Sequence, residues 1–427
     1  MARTAEAIVV GAGAIGANTA YFLTEKGMKD VLLIDKTGPA GGTTGLSVAL
    51  TRFNYSNYGS AALAFESYKI FHDWEDRIGG ASGFRPEGLL LLSSEERLDW
   101  VKDQVEFLNR EFSEEISMIS ADDCKELQPF MYTEDIAGAS YQPNSGHTVS
   151  TEAINSLVTR GRELGMQTEM DMRVLNVKVQ DGKAVGVETD SGDIDAPIVI
   201  LATGAWTAPL AKKVGVDVPI KGGRLSAGLL ERPADLGITD HMAITDSVAG
   251  GYWRPDLPGM TMIGITFPEQ DYHWTDDPDT HNTLILQEEM FRSARSIAHR
   301  FPGMDRAGWA RTWTCIDGFT PDHQMILGET DEVPGLWIAV GGNGHGFKTG
   351  PATGILMAEQ IIDGEVKIIK DMSEFAYGRF GDDPWGGTEE DFTERYADGR
   401  NRRFGIRQLR KEEGMEYREV PVSPLDD

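Results

Sequence analysis

The 427-residue sequence has few cysteines, no long apolar run and a shortage of positive charge. Its two cysteines, Cys124 and Cys315, are too few for a disulfide framework or a cysteine-rich zinc site. No run approaches the ~18 apolar residues of a membrane-spanning helix. No basic stretch followed by an apolar core marks the N-terminus as a secretory signal. These shortages predict a cytoplasmic protein without a membrane span.

Acidic residues outnumber basic residues by 68 to 40, so the formal net charge is −28. A surface of that sign repels the phosphates of nucleic acids and the headgroups of anionic membranes, which argues against both as partners. Hydrophobic residues make up 40% of the chain and charged residues 25%, which is an ordinary globular composition. Domains of roughly 150 residues would then give two or three in this chain.

The N-terminal stretch carries the most specific local pattern. Ala7–Val10 and Val31–Ile34 are apolar runs typical of buried parallel strands. Between them, Gly11-Ala12-Gly13-Ala14-Ile15-Gly16 leads into a predicted helix over 17–26. A glycine loop followed by a helix N-terminus holds a pyrophosphate, and Asp35 follows the second strand where a carboxylate binds ribose hydroxyls. The fingerprint therefore predicts FAD or NAD and argues against NADP.

Three further turns rich in small residues favour FAD over NAD. They are Gly41–Gly45 after the second strand, Ala202–Trp206 after an apolar run, and Gly341–Lys348 after another apolar run. A chain with such turns near both of its ends is typical of a flavoprotein.

These segments together resemble the D-amino-acid-oxidase-like flavoproteins, and within them the branch of sarcosine oxidase and dimethylglycine dehydrogenase. The matching segments are the N-terminal fingerprint, Gly41-Gly42-Thr43-Thr44 leading to Arg52, Leu201–Trp206, Thr320-Pro321-Asp322 and Gly344-His345-Gly346-Phe347-Lys348. The resemblance extends over about residues 5–380. It implies FAD as cofactor and oxidation of the C–N bond of a secondary or tertiary amine or amino acid. A hydride passes to the flavin N5, the imine hydrolyses, and oxygen or an electron-transfer acceptor takes the electrons.

The predicted fold is α/β, with a Rossmann-like FAD-binding domain interleaved with an α+β substrate domain built on an antiparallel sheet. The parallel-strand signals fall in separate pieces, which is why the domains are expected to interleave. The FAD-binding domain is predicted over 1–75, 150–215 and 310–370, the substrate domain over 76–149 and 216–309, and a C-terminal extension over 371–427.

The resemblance and the fingerprint together predict the residues that contact FAD. They are Gly11, Gly13, Ala14, Ile15, Gly16, Asp35, Lys36, Gly42, Thr43, Thr44, Ser47, Val174, Ala202, Gly204, Trp206, Cys315, Gly342, Gly344, Gly346, Phe347 and Lys348.

Four residues are predicted to act on the substrate. Arg52 and Lys348 match the positions that hold the substrate carboxylate in sarcosine oxidases, and a guanidinium with an ammonium suits that anion. A surface or interdomain ion pair is the alternative for Arg52. His345 either bonds to the backbone or tunes the protonation of the amine. Tyr252 either walls the pocket or packs in the core, with its neighbour Trp253 on the opposite face of the strand; Tyr55 is a weaker candidate.

Cys315 stands five residues before Thr320. A cysteine at that spacing carries the flavin in the monomeric sarcosine oxidase branch, so the resemblance implies a thioether to the flavin 8α-methyl group. An ordinary buried residue beside non-covalent FAD is the alternative.

Other features leave the electron acceptor and the substrate open. Met262–Thr266 lacks the lysine by which the oxidase branch activates oxygen, and Ala49 replaces an arginine, so a dehydrogenase is an alternative. Asp271, His273 and the acidic and histidine residues after them fit no metal spacing, and no metal is predicted. Oxidation of a hydroxy acid or other small anion, and a flavin subunit of a larger complex, are the alternative functions. An oligomer is compatible with each.

Overall fold

The computed structural model describes residues 3–114, 116–265, 274–275, 277–381 and 384–385. The helices are α1 (Ala14–Glu25), α2 (Tyr58–His72), α3 (Trp74–Arg77), α4 (Glu95–Glu111), α5 (Ala121–Leu127), α6 (Ser150–Glu163), α7 (Thr207–Lys212), α8 (Gln287–Arg300) and α9 (Gly346–Ile362). The strands of the first half are β1 (Arg3–Thr4), β2 (Ala7–Val10), β3 (Val31–Ile34), β4 (Leu50–Thr51), β5 (Leu89–Ser93), β6 (Ser117–Ile119), β7 (Gly138–Gln142), β8 (Gly146–His147), β9 (Gln167–Glu169), β10 (Val174–Gln180), β11 (Lys183–Thr189), β12 (Ile194–Asp195) and β13 (Ile198–Leu201). Those of the second half are β14 (Lys221–Glu231), β15 (Ala243–Asp246), β16 (Gly251–Pro255), β17 (Met260–Ile265), β18 (Trp274–Thr275), β19 (Gly308–Phe319), β20 (Ile326–Glu329) and β21 (Leu336–Val340).

A six-stranded sheet in the order β20-β21-β13-β2-β3-β9 forms the centre of the nucleotide-binding part. Its strands are parallel except β20, which is antiparallel to β21. β2 and β3 are buried along their whole length because both faces are covered. Helices α1, α6 and α9 pack on one face. On the other face lie α7 and a smaller sheet in the order β1-β12-β11-β10. The carboxyl ends of β2, β3, β13 and β21 meet at one edge, where ligands bind in open sheets of this type.

A second, larger sheet runs in the order β18-β14-β17-β16-β15-β5-β7-β6, with β19 also paired to β14. Neighbouring strands are antiparallel, except that β15 and β5 are parallel. One face packs on α8. The other face packs on Val48 and Leu50, from the segment that follows the predicted FAD contacts Thr43 and Thr44. The large sheet therefore packs against the nucleotide-binding part at that segment.

The α/β fold class and the parallel strands predicted around the glycine loop are confirmed. Asp181-Gly182, a residue pair typical of hairpin turns, joins β10 and β11 with φ of 51° and 75°. The domain boundaries stay a prediction. Most of the predicted C-terminal extension lies outside the described residues. None of the helices in the described ranges is both long enough and apolar enough to cross a membrane.

Several helix boundaries differ from those that the sequence pattern predicts, and α1 begins at Ala14 rather than at Ala17. A single helix is expected over 65–78, but α2 begins at Tyr58 because the Asn57 side chain caps it, accepting the Ser60 N–H at 2.8 Å. The chain then breaks at Asp73 before α3. α8 begins at Gln287 rather than Leu284. α9 begins at Gly346, before the expected Pro351, and this early start places Lys348 in its first turn.

Candidate functional site

The glycine loop after β2 packs so closely against its neighbours that side chains are excluded. Gly11 has φ of +108°, and a Cβ there would lie 2.5 Å from the Ala202 carbonyl oxygen. A Cβ on Gly16 would lie 1.9 Å from the Gly11 carbonyl oxygen and 3.0 Å from the Ala202 Cβ. The three predicted contacts Gly11, Gly16 and Ala202 therefore meet where β2, α1 and the turn after β13 converge. Such an approach brings the N-terminus of α1 to a phosphate-binding position.

Thr44 and Thr43 fix the next predicted segment to this loop. The Ala14 N–H donates to Thr44 Oγ1 at 2.9 Å, and the same oxygen lies 3.1 Å from where a Cβ of Gly13 would stand. Thr43 Oγ1 donates to the Ile316 carbonyl of β19. Ser47 turns inward and accepts the Ala49 N–H through Oγ at 3.0 Å. Gly42 and Gly204 border open space, since a Cβ on either would meet nothing within 4 Å.

Asp35 lies at the carboxyl end of β3 and faces the glycine loop. One carboxylate oxygen accepts the Ala12 N–H at 2.8 Å, and the other accepts the Thr37 N–H at 2.8 Å. The Thr37 hydroxyl also donates to that second oxygen at 2.8 Å. These bonds fix the orientation of the carboxylate and leave a lone pair for a ribose hydroxyl on the oxygen that accepts the Ala12 N–H. The position is the one that the dinucleotide fingerprint requires.

Lys36, the residue after Asp35, and Trp206 come together at the carboxyl ends of β3 and β13. The Lys36 ammonium lies 4.0 Å from the centre of the Trp206 ring. Asp279, a residue that the sequence does not single out, accepts the Trp206 indole N–H at 2.7 Å and pairs with Lys36 at 3.1 Å. These contacts, led by the indole hydrogen bond, lower the pKa of Asp279. Val174, another predicted FAD contact, directly follows Arg173 in the sequence. The Arg173 guanidinium lies 3.4 Å from the Asp279 carboxylate.

The 341–346 loop, which follows β21 and runs into Gly346, the first residue of α9, reaches the same edge of the sheet. A Cβ on Gly346 would lie 3.7 Å from the Ile15 Cδ1, so this loop faces the N-terminus of α1. The Phe347 side chain packs in the core, with its ring 5.6 Å from that of Phe71. A cofactor contact by Phe347 would therefore come from its backbone. The first turn of α9 directs a second helix N-terminus at this region.

Asp317 of β19 holds the 341–346 loop in place, and sequence reasoning does not find it. Its carboxylate accepts the Gly344 N–H at 2.6 Å and the Gly318 N–H at 2.9 Å. A Cβ on Gly342 would lie 3.4 Å from Asp317 Oδ1. Burial raises the pKa of Asp317, while the two N–H groups and the charge of Lys348 oppose that rise. An aspartate in a strand has no local sequence signal, because its partner is 27 residues away.

Arg52 and His345 are brought together through Tyr55. The Arg52 guanidinium lies 5.1 Å from the centre of the Tyr55 ring, and the His345 ring meets Tyr55 edge-on at 5.0 Å. Arg52 donates to the Asn54 carbonyl at 2.9 Å and is half-buried. Within the described ranges no carboxylate pairs with Arg52, so the ion pair that was its alternative role is not seen there. Lys348 is 7% exposed and acts electrostatically on Asp317.

Tyr252 lies on the face of the large sheet that meets Val48 and Leu50. Met262 and Trp313 pack in the same apolar group. Trp313 also donates its indole N–H to the Leu46 carbonyl at 2.8 Å, which ties this face to the segment after Thr44. Trp253 is fully buried on the opposite face, against Phe301. The predicted alternation of Tyr252 and Trp253 is thus confirmed, while the role of Tyr252 stays a prediction.

Cys315 is 8% exposed and lies two residues before Asp317 on β19. Burial and, next, the charge of Asp317 raise the pKa of its thiol, so the thiol stays protonated at neutral pH. The covalent link to flavin stays a prediction. Of the suggested metal cluster, Asp271, His273 and Asp276 lie outside the described residues. The remaining described residues contain no group of three or more histidine, cysteine or acidic side chains placed to hold a metal.

The glycine-loop geometry fits FAD, and comparison with known proteins agrees. Residues 6–360 match the DAO family model, described as FAD dependent oxidoreductase. The chain is 26% identical over 385 residues to human mitochondrial sarcosine dehydrogenase, covering 88% of this chain but 41% of that protein. It is 28% identical to sarcosine oxidase subunit beta of Rhodobacter capsulatus, covering 88% of each.

Solved structures show the same fold. L-proline dehydrogenase from P. horikoshii superposes with a TM-score of 0.79 at 23% identity, covering 86% of this chain and 96% of that one. The predicted FAD cofactor and oxidoreductase class are confirmed by the family match. The chain belongs to the DAO family of FAD-dependent oxidoreductases.

Proposed function

We propose that this chain oxidises the C–N bond of a secondary or tertiary amine that carries a carboxylate, as in sarcosine and other N-methyl amino acids. The observation that carries the proposal is the half-buried Arg52 guanidinium, held by Asn54 and Tyr55 beside His345. A guanidinium in that setting suits a substrate carboxylate. The two curated relatives named above are both called sarcosine enzymes, which supports the amine class.

The protein's contribution is mainly to bind and orient. Gly11–Gly16, Asp35, Thr43 and Thr44 would hold FAD, which supplies the hydride acceptor when bound. Arg52 would fix the substrate carboxylate and so present the carbon next to nitrogen. His345, with its ring against Tyr55, would accept or return a proton at the amine. Lys348, in the first turn of α9, adds positive potential at the end of the site where negative charge develops.

As part of the same proposal, we infer an electron-transfer acceptor and a cytoplasmic location for the enzyme. The described part of β17, Met260–Ile265, contains no lysine. This absence supports an electron-transfer acceptor over oxygen. Two free buried cysteines are compatible with the reducing cytoplasm. Anaerobically reduced protein that recovers its flavin colour only slowly in air, and rapidly with an artificial acceptor, would support the dehydrogenase form.

A flavin subunit of a larger complex is the second candidate. The chain matches 88% of the length of a protein that is named as a subunit. A subunit is expected to bleach its flavin with substrate yet turn over only with its partners. Purification from the native host, followed by turnover assays of the isolated chain and of any complex, distinguishes the two.

Anaerobic absorbance of the FAD-loaded protein tests the proposal. Sarcosine and other N-methyl amino acids are expected to bleach the ~450 nm flavin band (flavin chemistry carried by the cofactor). D-amino acids, betaines and hydroxy acids form the comparison panel. Bleaching by a hydroxy acid and by no amine would overturn the proposal in favour of the small-anion alternative.

A further inference from the structure

Gly264 lies at a defined place on the sheet face that carries Tyr252. In the paired strands, Gly264 of β17 stands opposite Tyr252 of β16 and opposite Ala227 of β14. Directly opposed residues in antiparallel strands project from the same face. Tyr252 and Ala227 belong to the apolar group that contains Val48. Gly264 therefore opens toward the segment that follows the FAD-binding threonines.

The Tyr252 ring occupies the space where a side chain at position 264 would be. A Cβ built on Gly264 would lie 2.1 Å from Tyr252 Cζ, 2.2 Å from Cε2 and 2.4 Å from the hydroxyl oxygen. Ordinary contacts between carbon atoms are about 3.5–4.0 Å. The outer half of the ring thus lies directly on the backbone of β17. Any residue other than glycine would force the ring to move.

The backbone itself does not call for glycine here. Gly264 is not among the positive-φ residues, so an L-residue could adopt its conformation. A glycine inside a strand lowers stability relative to alanine by roughly 0.5–1 kcal/mol. Strand glycines often mark a close approach by another group, and here that group is the Tyr252 ring.

We propose that Gly264 is the positioning residue of Tyr252, and that it thereby sets the size of the amine N-substituent that the site accepts. The second part rests on the proposed function and on the prediction that Tyr252 walls the substrate pocket. With glycine at 264 the outer end of the ring lies over β17. A methyl group at 264 lifts the ring off the sheet toward the segment around Val48 and narrows the space above the sheet.

Gly228 offers a matched control on the same pair of strands. It stands opposite Ile263, one residue along from Gly264, and so projects from the other face. A Cβ there would lie 2.4 Å from Trp309 Cζ3, which is a comparable clash with an aromatic ring. Gly228→Ala therefore adds a similar steric clash between β14 and Trp309 of β19 without touching Tyr252.

An unfolding cycle tests the contact without any catalytic assay. In denaturant titrations, Gly264→Ala is expected to lower the folding equilibrium constant about tenfold, the scale of overpacking. In a Tyr252→Ala background the same change should be neutral or slightly stabilising, because the ring is gone, whereas a Tyr252→Phe background should retain the full loss. An equal loss in all three backgrounds would overturn the proposed contact.

Flavin reduction tests the effect on selectivity. The ratio of apparent dissociation constants for N-ethylglycine and sarcosine, from anaerobic bleaching, is expected to rise at least fivefold in Gly264→Ala. It should stay unchanged in Gly228→Ala. If the wild type bleaches with amines but Gly264→Ala leaves the ratio unchanged, the size-setting role is refuted. If no amine bleaches the wild type, the proposed function fails and the size-setting role fails with it, while the unfolding cycle still decides the contact.

Discussion

Glu87 and His147, the last residue of β8, form a buried pair whose protonation should make the stability of the fold depend on pH. Their side chains are 14% and 2% exposed, and the Glu87 carboxyl bonds to His147 Nδ1. Burial raises the pKa of Glu87 from 4.5 to about 8, against the opposing charge of Arg254. Burial, followed by the charges of Arg254 and Arg85, lowers the pKa of His147 from 6.5 to about 2. Although the atoms meet at ion-pair distance, both shifts favour an uncharged pair, in which Glu87 donates its proton to His147.

The two pKa shifts make the free energy of unfolding change with pH in opposite directions. Folded Glu87 keeps a proton that the unfolded chain releases, so its contribution to stability is lost as pH rises from 4.5 to about 8. Folded His147 stays neutral where the unfolded chain is protonated, so its contribution is lost as pH falls below 6.5. Between pH 4.5 and pH 6.5 the two contributions to the pH dependence of stability cancel. Above pH 6.5 only the Glu87 contribution still changes with pH. At about 1.4 kcal/mol per pH unit, a span of about 1.5 pH units lowers the free energy of unfolding by about 2 kcal/mol.

Urea unfolding at pH values from 6.5 to 9 measures this loss. The variant Glu87→Gln stays neutral at every pH and can still donate to His147, so it should lack the Glu87 slope. The free energy of unfolding of the wild type is expected to fall by about 2 kcal/mol more than that of Glu87→Gln across this range. Glu96→Gln, at an exposed position on α4, serves as control. Parallel curves for the wild type and Glu87→Gln would refute the reasoning.

Three further changes test the cofactor site. Gly16→Ala should abolish FAD retention, because its Cβ would stand 1.9 Å from a backbone oxygen. The ratio of absorbance at about 450 nm to that at about 280 nm measures how much FAD the protein retains. The control Gly308→Ala should retain FAD, since a Cβ there meets nothing within 4 Å. Asp279→Asn should speed FAD release about two- to fivefold, which is the scale of exposed ion pairs. A fluorescence assay of released flavin measures the rate, with Asp305→Asn as the control variant. A rate no faster than that of Asp305→Asn would contradict the role of the Asp279 contacts. Acid-denatured wild type should keep its yellow colour and Cys315→Ser should lose it, and free flavin in the wild-type supernatant would exclude the thioether.

The nucleotide-binding end was predictable from local patterns. The apolar runs of β2 and β3, the glycine spacing between them and Asp35 all lie within one strand–helix–strand unit. Their arrangement depends on short-range geometry, which a linear pattern encodes. The structure accordingly places Gly11, Gly16 and Ala202 in mutual contact.

The substrate end was less accessible to sequence reasoning. Arg52 and His345 were found through family resemblance, and only the structure shows that Tyr55 lies between them. Asp317 and Gly264 were missed because a strand aspartate or glycine has no local signature. Their partners, Gly344 and Tyr252, are set by strand register and by a loop distant in sequence. Helix starts were misjudged where a cap such as Asn57 extended the helix beyond its apolar pattern.

In the proposed function, Arg52 holds the carboxylate of an amine presented to FAD. The most direct measurement is an anaerobic sarcosine titration of the flavin band in the wild type, Arg52→Ala and the surface control Arg306→Ala, whose guanidinium pairs with Asp235. A charge-assisted hydrogen bond contributes about 1.5–3 kcal/mol, so Arg52→Ala should need about 10- to 100-fold more sarcosine for half-bleaching. Arg306→Ala should follow the wild type. Half-bleaching of Arg52→Ala at the wild-type concentration would contradict the account.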